Sequence, residues 1–90
     1  MLTNKKYSLN IDLKDFSQAQ YEMYQDELIK HIGKSAASTN GAVVRAAKMA
    51  GFVSGLPEDI GAMPPAAVRW LTDKIHEHVM AVANPPDDPN

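Results

Sequence analysis

The stretch Pro64-Pro65-Ala66-Ala67-Val68-Arg69-Trp70-Leu71-Thr72-Asp73-Lys74-Ile75-His76-Glu77-His78-Val79-Met80-Ala81-Val82-Ala83 decides how this chain folds. Val68, Leu71, Ile75, Val79 and Val82 recur at spacings of three, four, four and three, which places them on one side of an α-helix. Pro64 and Pro65 suit the first turn of such a helix, where a missing amide proton costs little. Asn84, Pro85, Pro86 and Pro89 stop it and leave residues 84–90 as an acidic, proline-rich tail expected to be exposed. Trp70 widens the apolar stripe. It can pack inside the monomer or anchor a partner, because large aromatics dominate both settings.

Toward the amino terminus, Phe52 to Met63 holds Gly55, Pro57 and Gly61, which interrupt long regular elements, so it reads as a connector. Pro57, Glu58 and Asp59 are suited to open one helical turn there. Val43 to Ala50 is rich in helix formers, is preceded by the capping residues Thr39 and Asn40, and ends at Gly51. That predicts a short second helix with Val43, Val44, Ala47 and Ala50 inward, and small alanines that admit a close neighbour. Lys34 to Gly41 lacks an apolar period and is expected to be a mobile loop. A first helix is expected over about Ser17 to Ile32. Asp15 and Ser17 each precede a glutamine by three residues, Gln18 or Gln20, as in a capping box, and Gly33 suits a left-handed helix end. Tyr21, Tyr24, Leu28 and Ile32 supply its apolar period.

Tyr7, Leu9, Ile11 and Leu13 alternate with Ser8, Asn10 and Asp12, the period of a half-buried strand. A single strand leaves backbone donors and acceptors unpaired along its edges. Two partners are open to it: the Phe52 to Leu56 stretch, which its glycine weakens, or another chain, by self-assembly or strand addition. A monomer that pairs residues 7 to 13 internally would overturn the second. The expected architecture is α+β, mostly α, a single domain over residues 1–83 with an amino-terminal strand followed by three helices.

Composition narrows the function. Ninety residues with 44% hydrophobic and 22% charged side chains make one ordinary globular domain, burying only roughly 60 to 65% of its unfolded surface. The absence of cysteine removes disulfides and thiolate metal sites and suits a cytosolic setting. A formal net charge of −2 counts against a general attraction to nucleic acid. No apolar run suits a signal peptide or a membrane span, so neither export nor insertion is expected.

No catalytic signature is apparent. His76 and His78 flank Glu77, but residues two apart on a helix diverge, whereas zinc-protease histidines stand four apart on one face. His31 lies where a cation favours the negative end of the first helix. Glu58 and Asp59 after Pro57 suit a first helical turn better than an acid–base pair. The glycines match neither a phosphate loop nor a dinucleotide fingerprint. The expectation is a protein without enzyme activity, cofactor or metal, which acts by binding another protein.

The order Val43-Val44-Arg45-Ala46-Ala47, Met49-Ala50-Gly51-Phe52, Leu56-Pro57-Glu58-Asp59-Ile60 and Met63-Pro64-Pro65-Ala66-Ala67-Val68-Arg69-Trp70-Leu71, closing on Ala83-Asn84-Pro85-Pro86, resembles small tail-assembly chaperones of tailed bacteriophages. The resemblance covers about half the chain, from Val43 to Pro86; the amino-terminal strand and Lys34 to Gly41 lie outside it. It implies a non-enzymatic protein of the host cytoplasm that keeps a tape-measure protein soluble while tail subunits polymerise around it. On that reading Trp70, Val68, Leu71, Ile75 and Val79 form the expected partner surface, and the strand is a candidate for homo-oligomer contacts. Two other classes are open: a structural subunit of a virion or ring, and a helix-turn-helix regulator using Arg45, Lys48 and Arg69. Residues 41 to 83 balance four basic against four acidic side chains, which counts against the regulator.

Overall fold

Residues 1–84 are described by the computed structural model, in the order β1 (Leu2–Asn4), β2 (Leu9–Leu13), α1 (Gln18–Ile29), α2 (Ala36–Ala50), β3 (Val53–Ser54), a 3-10 turn (Ile60–Ala62) and α3 (Pro65–Ala83). The architecture is α+β and mostly helical, with a three-stranded antiparallel sheet in the order β1-β2-β3. All of the expected tail except Asn84 lies outside the described residues.

Helix α3 begins at Pro65 and buries Val68, Leu71, Ile75 and Val79, as its period requires. It packs on α2, which also packs on α1, so α2 is the middle helix. Ala42, Ala46, Ala47 and Ala50 are buried there, and small side chains are what allow two neighbours to approach one helix. The Thr72 hydroxyl is shared between the carbonyls of Val68, 2.8 Å, and Asn40, 3.1 Å, which fixes α3 along α2.

The expected loop at Lys34 to Gly41 is a correction: from Ala36 it is helix, the first turns of α2. Its cap is Ser35, not Thr39 or Asn40. The Ser35 hydroxyl accepts from the Ser38 amide at 3.2 Å, and Thr39 Oγ1 donates to the Ser35 carbonyl at 2.9 Å. Residues 36–39 are exposed, so these turns need no apolar period. Helix α1 carries the capping box at Ser17 and Gln20 and ends at Ile29, before the expected Ile32, which is exposed. Gly33 has the positive φ expected, 86°, but in the turn that follows the helix, whose end is capped by Lys30 in a right-handed conformation. One amide does double duty: Gln20 Oε1 accepts from Ser17 N at 2.9 Å, while its Nε2 donates to the Ala50 carbonyl at 3.0 Å, tying the start of α1 to the end of α2.

The strand Leu9–Leu13 finds its neighbours within the chain, which overturns pairing of this strand with another chain. Leu2, Thr3 and Asn4 of β1 face Ile11, Asn10 and Leu9, and Ser54 and Val53 of β3 face Asp12 and Leu13. Tyr7 is in the turn between β1 and β2 rather than in the strand, half-buried against the core, with the Lys6 ammonium 5.6 Å from its ring centroid. Three residues of β1, two of them polar, are too few to display alternation, which is why the partner strand is silent in the sequence. Gly55 makes the other pairing feasible. Its φ is +89°, and a β-carbon there would collide with the Asn10 carbonyl oxygen, so only glycine lets this turn lie against β2.

Leu9 and Ile11 point into the core with Val44, Phe52, Leu71 and Ile75. Phe52 is fully buried and meets Phe16 and Tyr24 at centroid separations of 4.7 and 5.4 Å. His78 packs beside Phe16 and Phe52, and its Nε2 lies 2.7 Å from the Lys14 carbonyl. Because a carbonyl can only accept, Nε2 carries the proton in that bond.

Candidate functional site

The expected partner surface on α3 requires correction. Leu71 and Ile75 are 0% exposed, Val79 is 5% and Val68 is 9%, so these side chains are core and a partner cannot reach them without unfolding the domain. Apolar periodicity reports that a face is covered; in a chain this short, the domain's own sheet and helices cover it. Trp70 is half-buried and packs against the same core. Of the five, only Val68 also reaches an open groove.

That groove, of about 630 Å³, lies where the amino-terminal half of α2, the 3-10 turn and the first turns of α3 meet. On α2, Ala37, Gly41 and Arg45 are four apart and line one wall; Pro65, Ala66 and Arg69 line the facing one. Ile60 and Met63 supply its larger apolar side chains. The volume is within the range of ligand and peptide pockets, and the lining is mainly apolar with a few polar groups, the usual composition of a binding site.

Charge in the groove has one sign. Both charged lining residues are arginines and no acidic side chain lines it. Arg69 pairs with Asp73 at 3.3 Å on the exposed face of α3, an ion pair of small worth. Arg45 enters none of the ion pairs or side-chain hydrogen bonds found among the described residues. Its guanidinium lies over Gly41, where a β-carbon would crowd Nη1 at 3.1 Å, and beside Gly61, where a β-carbon would make ordinary contact with Nη2 at 3.5 Å. Asp59 Oδ1 is 3.2 Å from the same point at Gly61, so one carboxylate is near the guanidinium without pairing to it. Neither α2 nor α3 has an acidic residue in its first turn, so the positive ends of both helices add to the field here.

From sequence, Arg45 and Arg69 are candidate DNA contacts and, with Met63, part of the resembling segments, and Gly61 is an interruption of regular structure; none of them, nor Gly41, is expected to line a groove. The i, i+4 pair Gly41 and Arg45 was the available signal, but it is visible only once Lys34 to Gly41 is known to be helical. His76 is exposed and His78 turns inward to the Lys14 carbonyl, so the two histidines go to separate environments. Among the described residues no helix is long and apolar enough to cross a membrane.

Comparison with models of known protein families, with curated proteins and with solved structures finds no match to this chain.

Proposed function

We propose that this chain is a non-enzymatic chaperone of phage tail assembly, which acts in the host cytoplasm by binding a tape-measure-like protein and keeping it soluble until tail subunits enclose it. The observation that carries the reading is the open groove, where Ile60, Met63, Pro65 and Ala66 border space that the domain itself leaves unfilled. The sequence likeness from Val43 to Pro86 supports the same reading, since it includes Arg45, the 3-10 turn and the first turns of α3, while Ala37 to Gly41 of the other wall lie outside it. A chaperone must hold apolar client segments briefly without exposing enough apolar surface to aggregate, and a groove that gathers a few apolar side chains beside two arginines suits that need.

The other classes gain less. A ring assembled through β2 has no free edge on that strand to use, because both neighbours come from the same chain. A helix-turn-helix motif needs a short turn between its helices, whereas β3 and a 3-10 turn separate α2 from α3.

The test is aggregation of a tape-measure protein fragment followed by light scattering, with and without the purified chain at equal concentration. Suppressed scattering and a soluble co-complex are expected. Scattering unchanged by the chain, with the fragment recovered alone in the pellet, removes the chaperone reading.

A further inference from the structure

We infer that the groove recognises a client segment in which a carboxylate side chain is flanked by bulky apolar ones, with Arg45 as the carboxylate clamp; this rests on the protein-binding reading above and names the chemistry of what is bound.

Charge complementarity identifies the occupant. The groove brings two guanidinium groups, from α2 and α3, to a mainly apolar lining with no acidic member. Arg45 is the group held for use. It has no ionic partner among the described residues, and Gly41 leaves the space in which its planar head lies, with Gly61 beside it. A guanidinium presents a fork of donors that matches a carboxylate in geometry and charge. Asp59, whose Oδ1 shares the neighbourhood of Gly61, forms no ion pair with Arg45 and leaves the fork available. Met63, Pro65 and Ala66, which are accessible in the groove, then receive the apolar neighbours of the client's acidic residue.

A polyanion such as DNA fits these features less well. The chain carries a net charge of −2, and a groove of about 630 Å³ with apolar walls suits a few side chains rather than a phosphate backbone. The small volume also argues for a short recognition segment, so a client with many acidic–apolar segments would bind several copies.

The experiment is a titration of isotope-labelled protein, followed by amide and arginine Nε–H NMR signals, with acetyl-Ala-Leu-Glu-Leu-Ala-amide and with the same peptide carrying glutamine in place of glutamate. Shifts are expected at Gly41, Arg45 and Gly61, with the glutamate peptide bound about tenfold more tightly than the glutamine one. Arg45→Gln, an exposed substitution, is expected to abolish that preference, and Arg45→Lys to retain part of it. Gly41→Ala, whose β-carbon would stand 3.1 Å from Nη1 and displace the guanidinium, should also lower it. Equal binding of the two peptides overturns the inference, as does stronger perturbation of the same signals by inorganic phosphate or a DNA duplex. In the aggregation assay, a tape-measure fragment that the Arg45→Gln protein protects as well as the unaltered one does overturns this inference while leaving the chaperone reading intact. A fragment that neither protein protects, alongside a preserved glutamate preference, removes the tape-measure client and leaves the groove's chemistry standing.

Discussion

Two glycines with nearly the same backbone conformation and opposite surroundings allow the contribution of the β2–β3 contact to be isolated. Gly33 and Gly55 have φ values of 86° and 89°. A β-carbon on Gly33 would meet nothing within 4 Å, whereas one on Gly55 would collide with the Asn10 carbonyl oxygen and stand 3.2 Å from that carbonyl carbon and 3.3 Å from Ile11 Cα. Gly33→Ala therefore costs only the left-handed conformation, about 1–2 kcal/mol. Gly55→Ala carries the same cost and must also push two backbones apart. That weakens the pairing of Asp12 with Ser54 and of Leu13 with Val53, and the 2.8 Å bond from Lys14 N to the Phe52 carbonyl. Two or three backbone hydrogen bonds at about 1 kcal/mol each bring the total to about 3–5 kcal/mol. A domain of this length has about 5–13 kcal/mol in all, so Gly55→Ala should be close to unfolding at 37 °C. Urea denaturation followed by far-ultraviolet circular dichroism measures both variants, and a Gly55→Ala loss within 1 kcal/mol of the Gly33→Ala loss would refute the reasoning.

Four further outcomes follow from the packing and the caps. Leu71→Ala is expected to lose about 2–5 kcal/mol in the same denaturation experiment, because Leu71 is core rather than contact surface; a loss under about 1 kcal/mol would return it to the surface. Gln20→Ala removes one half of the capping box and a helix-to-helix bond, leaving the Gln20 amide bonded to Ser17 Oγ, and should lower stability by about 1–2 kcal/mol, read as a lower midpoint at unchanged slope. Gly41 has only the movable Arg45 head over it, so Gly41→Ala should raise stability by about 0.5–1 kcal/mol through helix propensity, while displacing the guanidinium. Burial, with a smaller contribution from neighbouring Tyr21, pushes the Tyr24 hydroxyl up to about 12. Since the unfolded chain ionises this group near pH 10, native stability should be full below that and fall by about 2 kcal/mol as pH rises toward 12. Tyr24→Phe should flatten that decline relative to the unaltered protein.

How much was legible varied from element to element for physical reasons. Helix α3 could be read almost to the residue because prolines bound it and its buried side chains keep one period throughout. The Ser17–Gln20 cap was equally plain, since its chemistry is local. The first turns of α2 were not, because a helix segment open to solvent has no apolar stripe, and its serines, threonine and asparagine are also loop residues. The short strand β1 was not legible for a different reason, whereas β3 falls within the Phe52 to Leu56 stretch expected as one partner of the strand. Their pairing with β2 depends on contacts distant in sequence and on the room that Gly55 leaves, which no local pattern records. The same gap explains the site. The stripe of α3 was visible but ambiguous between core and contact surface, and the sheet and α2 resolve it as core. Arg45 and Gly41 become a pair only on a helix, and Gly61 joins them only through the packing of the 3-10 turn.

Isotope-labelled protein titrated with a soluble tape-measure protein fragment, followed residue by residue by NMR, tests the central claim most directly, that a client binds the groove between α2 and α3. The account predicts perturbed signals at Ala37, Gly41, Arg45, Ile60, Gly61 and Ala66, with Leu71, Ile75 and the β2 amides unchanged. Perturbation centred on the β1 edge or on the outer face of α1, with the groove silent, would contradict it.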